Sequence, residues 1–142
     1  MYRKLMIAAA LIMLCQSGFA LTCPSVANIK KNTLSGWKAY DSDDASPLSQ
    51  KREAQFKQNA KEFALAEWTW TGTDKTTGTI HCYYRDNTGS DLEAYLSKGN
   101  FSPENSRDYW YDVSGSMHCA AGMEKCEFRD SPIKQRSRLA SR

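Results

Sequence analysis

Four cysteines that follow a predicted export signal constrain the fold of this chain more than any other feature of its sequence. In the first twenty residues, Arg3 and Lys4 precede an apolar run over residues 6–14, and the small residues Gly18 and Ala20 follow it. This arrangement is typical of a secretory signal peptide that is cleaved after Ala20. We therefore expect export to an oxidising compartment, either periplasmic or associated with the outer membrane, where cysteines pair.

The cysteines after the signal indicate two disulfides, for which three pairings are possible. Because short loops close most readily, the sequence favours Cys119–Cys126, which leaves Cys23–Cys82 as the second link. The other two pairings stay open at this point. Cys15 lies inside the signal and follows Leu14 rather than the small residue of a lipoprotein signal, so it is expected to leave with the signal. No membrane span is predicted in the exported part.

Length and charge favour one small domain between the signal, residues 1–20, and a basic tail. The 142 residues include 19 Lys and Arg against 16 Asp and Glu, and two of the basic residues belong to the signal, so the exported part is nearly neutral. Residues 21–129 are predicted to form a single disulfide-bonded domain. Residues 130–142 contain several basic residues and no aromatic one, which predicts a disordered tail. Without interleaved aromatic residues, this tail gives no support for nucleic-acid binding.

The residue patterns predict an α+β fold, mainly an antiparallel β-sheet of four to six strands with a short N-terminal helix and one surface helix. The clearest strand is Thr79–Arg85, which is rich in β-branched and aromatic residues and is expected to be central. Asp91–Ser97 is predicted to be its hairpin partner. The helices are predicted over residues 23–31 and 48–59. Further strands are predicted over residues 34–40, 61–70, 109–113 and 124–129, with a turn at Cys119 and a loop over residues 99–108.

Motifs for metal binding and catalysis are weak in this sequence. His81-Cys82, His118-Cys119 and Cys126 offer side chains that zinc accepts. However, adjacent residues of a strand point to opposite faces, and exported cysteines are oxidised, so we expect no metal and no cofactor. The sequence contains no nucleophile elbow, zinc-protease helix or glycine-rich phosphate loop. The chain is therefore predicted not to be an enzyme and to have no catalytic residues.

Aromatic residues are the remaining candidates for a functional surface. The chain contains four tryptophans and seven tyrosines, more than one small core requires. Trp68 and Trp70 share strand parity, as do Tyr109 and Tyr111. Since Trp and Tyr are favoured as interface anchors, the sequence predicts a binding surface at Trp68 and Trp70, or at Tyr109, Trp110 and Tyr111. A place in the core is the alternative for each of these residues.

Over most of residues 23–129 the chain resembles a family of small exported gammaproteobacterial proteins of unknown function. The resemblance is carried by the start Cys23-Pro24-Ser25-Val26-x-x-Ile29, by Trp37, by Phe63-x-x-Ala66-x-Trp68 and by Cys82-Tyr83-Tyr84. It implies a single periplasmic domain without known catalytic residues. Such proteins occur in bacteria with a Dot/Icm (type IVB) secretion system, so the resemblance also implies an accessory subunit of its core complex.

Two functions follow as expectations. The first is a non-catalytic interaction or structural protein of the cell envelope, whose partners are other envelope proteins. The second is a secreted small-protein inhibitor or ligand-binding module, similar to the periplasmic lysozyme inhibitors. Both functions suit a small β-rich domain with two disulfides.

Overall fold

The computed structural model describes residues 20–73, 75–103 and 108–131, which form an antiparallel sheet with two short helices and two disulfides. The predicted α+β class is confirmed, and the sheet has seven strands where four to six were expected. Apart from Ala20, the predicted signal lies outside the described residues, as does the tail beyond Ser131. Within the described part, neither helix has the length and apolar character that a membrane span requires.

The described residues form two helices, both in the N-terminal half of the chain, and seven strands. The elements are α1 (Val26–Lys30), β1 (Lys38–Asp41), α2 (Gln50–Asn59), β2 (Glu62–Trp70), β3 (Gly78–Arg85), β4 (Asp91–Pro103), β5 (Tyr111–Val113), β6 (Ser116–Cys119) and β7 (Phe128–Asp130). Neighbouring strands are antiparallel, in the order β1-β4-β3-β2-β6-β5, and β7 pairs with the C-terminal end of β4.

The strand predicted at residues 79–85 is β3, and it lies in the middle of the sheet between β2 and β4, as expected. Its hairpin with β4 is closed at Arg85, which pairs with Asp91. The turn is held by the carboxylate of Asp86, which accepts hydrogen bonds from the backbone N–H of Thr88 (2.8 Å) and of Ser90 (3.1 Å). A short polar side chain that satisfies turn backbone groups explains why this turn was visible in the sequence.

Strand β4 is longer than predicted, because it continues to Pro103 through the predicted loop over residues 99–108. The register with β3 shifts between Lys98 and Phe101, and Asn100 has a left-handed φ of 69° there. Beyond this irregularity Phe101 also pairs with Asp130 of β7. The turn-forming residues Gly99 and Asn100 therefore bend the strand without ending it.

The C-terminal strands differ most from their predicted positions. β5 begins only at Tyr111, and Cys119 ends strand β6 where a turn was predicted. Ser114 and Gly115 make the two-residue turn between β5 and β6, with positive φ values of 35° and 94°. Because the disulfide between Cys119 and Cys126 closes residues 120–125 into a loop, the strand predicted over residues 124–129 is reduced to β7. Similarly, the strand predicted over residues 34–40 is confined to β1, since residues 34–37 form a turn.

The core lies on one side of the sheet, which we call the inner side, and the two helices pack there. Phe56 is the buried residue of the otherwise polar helix α2, and its ring meets Tyr84 edge-on. The Tyr84 hydroxyl donates a hydrogen bond to the carbonyl of Pro24 (2.6 Å) at the start of α1. A surface helix over residues 48–59 was predicted, and a single buried aromatic residue is what attaches it to the sheet.

Both disulfides have the favoured pairing. The Cα atoms are 5.9 Å apart in Cys23–Cys82 and 5.5 Å apart in Cys119–Cys126, within the range that a disulfide spans. The first links the segment before α1 to the central strand, and the second closes the loop after β6. Two disulfides between buried cysteines indicate an oxidising, exported environment.

Candidate functional site

Three of the five aromatic residues predicted to bind a partner face the inner side of the sheet. Trp68 is 4% exposed and its indole N–H donates to the carbonyl of Phe101 (2.8 Å); Trp110 is 5% exposed and donates to the carbonyl of Glu127 (2.9 Å). Trp70 is half-buried and its ring lies 5.8 Å from that of Trp68. The shared face of Trp68 and Trp70 was predicted correctly, but this face packs against the core.

The other two predicted residues are exposed. Tyr109 is 42% and Tyr111 is 51% exposed, and with Val113 they are the exposed large hydrophobic residues of the described part of the chain. The Lys125 ammonium lies 5.3 Å from the ring centre of Tyr109, which precedes β5. Tyr111 lies in β5 and points to the side of the sheet opposite the core. The structure therefore leaves an accessible aromatic surface at the β5 edge and not at Trp68 and Trp70.

Strand register extends this surface across the sheet. Tyr111 pairs with His118, His118 with Glu67, and Glu67 with His81, so these four residues form one row over β5, β6, β2 and β3. Paired residues of neighbouring strands point to the same face. We use the term outer face for this row together with the tyrosines beside it. Its residues are Tyr40, Glu67, His81, Tyr83, Tyr95, Tyr111 and His118.

A bulge near the start of β2 changes which side of the sheet the side chains face. Phe63 pairs with Tyr84 and Leu65 pairs with Tyr83, so one extra residue, Ala64, is inserted in β2. The alternation of side chains consequently changes at this point. Phe63 turns inward and meets the Tyr84 ring edge-on at 6.1 Å, although simple strand parity places it on the same side as Glu67.

Glu67 lies between the two histidines of the chain. Its Oε1 is 3.2 Å from Nδ1 of His81, and its Oε2 is 3.0 Å from Nε2 of His118. The same His118 nitrogen is 3.1 Å from the hydroxyl of Ser116. The hydrogen bond with His81 is the main reason that the pKa of Glu67 lies below its ordinary value of 4.5, while partial burial acts in the opposite direction. One ionised carboxylate thus fixes the orientation of both imidazole rings.

Tyrosines pack against this histidine–glutamate cluster. The ring of Tyr95 lies 4.5 Å from that of His81, 5.4 Å from that of Tyr83 and 5.9 Å from that of Tyr40. Burial is the main cause that raises the pKa of Tyr83 and of Tyr95 above the ordinary value of 10.0. The phenols therefore stay neutral and retain their O–H groups at physiological pH. Tyr95 itself is buried, and the partly exposed rings of Tyr40, Tyr83 and His81 around it offer aromatic area together with hydrogen-bonding groups.

This arrangement suits binding better than metal coordination. The cysteines considered beside His81 and His118 are in disulfides, and they lie on the inner side. Among residues 20–73, 75–103 and 108–131, no group of three or more His, Cys, Asp or Glu side chains is arranged to hold a metal ion.

Sequence reasoning did not identify Glu67, because it lies 14 residues from one histidine and 51 from the other. The sequence signal that could have located this site is the alternation of side chains along a strand. It places His81 and His118 on the face of the sheet that their neighbours Cys82 and Cys119 do not occupy.

No protein-family model, curated protein or solved structure matches this chain.

Replacing Glu67 with Gln should lower the free energy of unfolding by about 1–2 kcal/mol near neutral pH, because two side-chain hydrogen bonds lose their charged acceptor. Folding lowers the pKa of Glu67 below its ordinary value of 4.5. The stability that ionised Glu67 contributes is therefore present above pH 4.5 and is lost as the pH falls through the lower pKa of the folded state. Urea unfolding from about pH 7 to about pH 3 measures this. The variant and the wild type should converge in acid. Glu62→Gln, an exposed glutamate of the same strand, is the control; equal profiles for the two variants would contradict the assignment.

Proposed function

We propose that this protein is an exported, non-catalytic binding protein of the bacterial cell envelope that contacts another envelope protein through its outer face. The observation that carries the proposal is the continuous band of tyrosine and histidine side chains around Glu67, on the side of the sheet opposite the core. Two disulfides support export, and the two exposed aromatic residues at the β5 edge support a protein partner.

The composition of the outer face favours a protein as the ligand. Tyrosine combines a large apolar ring with a hydroxyl that donates and accepts hydrogen bonds, which is why it is enriched at the centres of protein interfaces. On the outer face these rings contact one another and His81, so they are ordered before a partner arrives. Ordered side chains lose little conformational entropy on binding, and more of the contact energy remains as affinity.

The size of the complex that the protein joins distinguishes a subunit of an envelope assembly from a small secreted inhibitor. A subunit of an envelope assembly, such as the core complex of a secretion system, should sediment with a large particle after extraction in mild detergent. A small secreted inhibitor should instead remain at the top of the gradient with a single target. We propose the first, and sedimentation of the tagged full-length chain from its own cells tests it directly.

Replacing Tyr111 with Ala should weaken this association by more than about 2 kcal/mol, roughly thirtyfold, if Tyr111 is an anchor of the interface. Its 51% exposure predicts that thermal stability stays close to that of the wild type. The measurement is the fraction of the protein that sediments with the particle, together with the melting temperature of the purified variant. Lys51→Ala is the control, since Lys51 is exposed on α2, on the other side of the sheet. Undiminished sedimentation of Tyr111→Ala would show that the outer face is not the interface.

A further inference from the structure

The edge strands of the sheet differ in whether another segment of the described chain pairs with them. At β1 the chain itself covers the edge: Tyr40 bridges Pro47, and the N–H of Leu48 donates to the carbonyl of Ala39 (3.1 Å). β7 is covered in a similar way, because Leu21 and Phe128 exchange two hydrogen bonds of 2.9 Å. At the other end, β5 pairs with β6 and no second strand of the described part lies beside it.

The register of the β5–β6 hairpin fixes which backbone groups of β5 point outward. Val113 pairs with Ser116 across a two-residue turn, so these two residues exchange hydrogen bonds with each other, and Tyr111 does the same with His118. The N–H and C=O of Asp112 therefore point away from β6. No strand among the residues that the structure describes pairs with them, and a donor and an acceptor of this kind on an edge strand are the groups to which a further strand adds.

The side chains of β5 complement this backbone. Tyr111 and Val113 alternate with Asp112 and are both exposed on the outer-face side. A strand added beside β5 would place alternate side chains next to these two residues. Apolar residues at every second position of the incoming segment would therefore remove the exposed area of Tyr111 and Val113 from water.

The β5–β6 hairpin is attached to the rest of the domain at both ends. Trp110 is buried just before β5 and donates to the carbonyl of Glu127, and β6 pairs with β2 over three residues. Cys119, at the end of β6, is linked to Cys126. Since both ends of the hairpin are attached to the core, little order has to be created when a strand is added.

We propose that β5 is a docking edge for an extended segment of a different protein, which adds as a strand beside Asp112 and packs alternate apolar side chains against Tyr111 and Val113. This deepens the proposed function by naming the class of partner and rests on it only for the premise that the partner is a protein. A second copy of this chain is disfavoured as the occupant, because antiparallel pairing of two β5 strands centred on Asp112 would place two carboxylates directly opposite each other.

Asp112→Pro tests the backbone directly. Proline lacks the outward N–H, whereas the hydrogen bonds to β6 come from Tyr111 and Val113 and remain; proline is tolerated on an edge strand in this orientation. Asp112→Ala is the matched control, since it removes the same carboxylate and keeps the N–H. The probe is a phage-displayed library of random peptides of about nine residues, selected against the purified, disulfide-bonded protein.

The selected peptides should carry apolar residues at alternate positions. A synthetic copy of the most enriched peptide should bind the wild type and Asp112→Ala equally, and Asp112→Pro at least about tenfold more weakly, by fluorescence anisotropy. Amide hydrogen exchange on Asp112→Ala provides a second readout that does not depend on the proline variant: the amide of residue 112 should become protected when the peptide binds.

Equal binding to Asp112→Pro, an unprotected amide at residue 112, or a selection without alternating peptides would overturn strand addition. A dimer in sedimentation equilibrium that Asp112→Pro converts to monomer would show that the occupant is a second copy, which also overturns the proposal. If Asp112→Pro still sediments with the envelope particle and Tyr111→Ala does not, the outer face remains the binding surface and only strand addition fails. If neither variant changes sedimentation, the proposed function of the outer face fails as well.

Discussion

Replacing Cys23 and Cys82 together with Ala should lower the free energy of unfolding by about 4 kcal/mol, whereas the same change at Cys119 and Cys126 should cost about 2.5 kcal/mol. The difference arises from the unfolded chain. The first link joins residues that are 59 positions apart and the second joins residues 7 apart, so the first removes more conformational freedom when the chain is unfolded. A loss of about 4 kcal/mol is a large part of the stability of a domain of this size.

The two double variants are well matched, because all four cysteines are buried and each variant loses two sulfur atoms from the core. Denaturant unfolding of the oxidised proteins measures both effects. If removal of the short link destabilises the protein more, loop entropy is not the dominant contribution. The β5–β6 hairpin would then depend on Cys119–Cys126 for its folded structure, and the docking edge with it.

Replacing Trp68 with Ala should destabilise the protein by about 3–5 kcal/mol, because it empties a large volume in the core. The Trp68 ring is almost fully buried, contacts the Trp70 ring and donates its N–H to the carbonyl of Phe101. Gly78 approaches this indole so closely that an added Cβ would lie 2.6 Å from its nitrogen. The carbonyl of Phe101 would also lose its indole donor, which adds to the cost.

Thermal or urea unfolding measures the loss of stability in Trp68→Ala, and two further variants serve for comparison. Trp68→Phe keeps most of the ring volume and removes the N–H, so its effect should be intermediate. Tyr111→Ala truncates an exposed aromatic residue and should change stability by less than about 0.5 kcal/mol. If Trp68→Ala were as stable as Tyr111→Ala, the assignment of Trp68 to the core and Tyr111 to the surface would be wrong.

Together these variants separate the two roles that aromatic residues have in this protein. The tryptophans on the inner side stabilise the fold and satisfy backbone carbonyls of β4 and of the segment before β7. On the outer face Tyr95 is buried beneath its neighbours, whereas Tyr111 is exposed and the two histidines, Tyr40 and Tyr83 are partly exposed and available to a partner. A binding study that truncates Trp70 would mainly report on stability, since this ring packs against Trp68 and the core.

The sequence alone determined the features that depend on short stretches of chain. The preference for Cys119–Cys126 follows from loop length, and the position of β3 follows from β-branched and aromatic residues between two turns. The turn after β3 was visible because Asp86 satisfies nearby backbone groups. The α+β class follows from these local patterns, since each can be recognised without knowing what lies beside it in space.

The tertiary structure alone decided which aromatic residues are accessible and which polar residues meet. Strand parity grouped Trp68 with Trp70 correctly, yet parity does not say which face of a strand packs against the core. The extra residue in β2 turns Phe63 toward the inner side, and the residue pattern around it does not predict this bulge. Glu67 meets His81 and His118 only because β2 lies between β3 and β6 in one particular register. Strand order and register are set by packing between distant segments, so the outer face and the edge at β5 exist only in the folded protein.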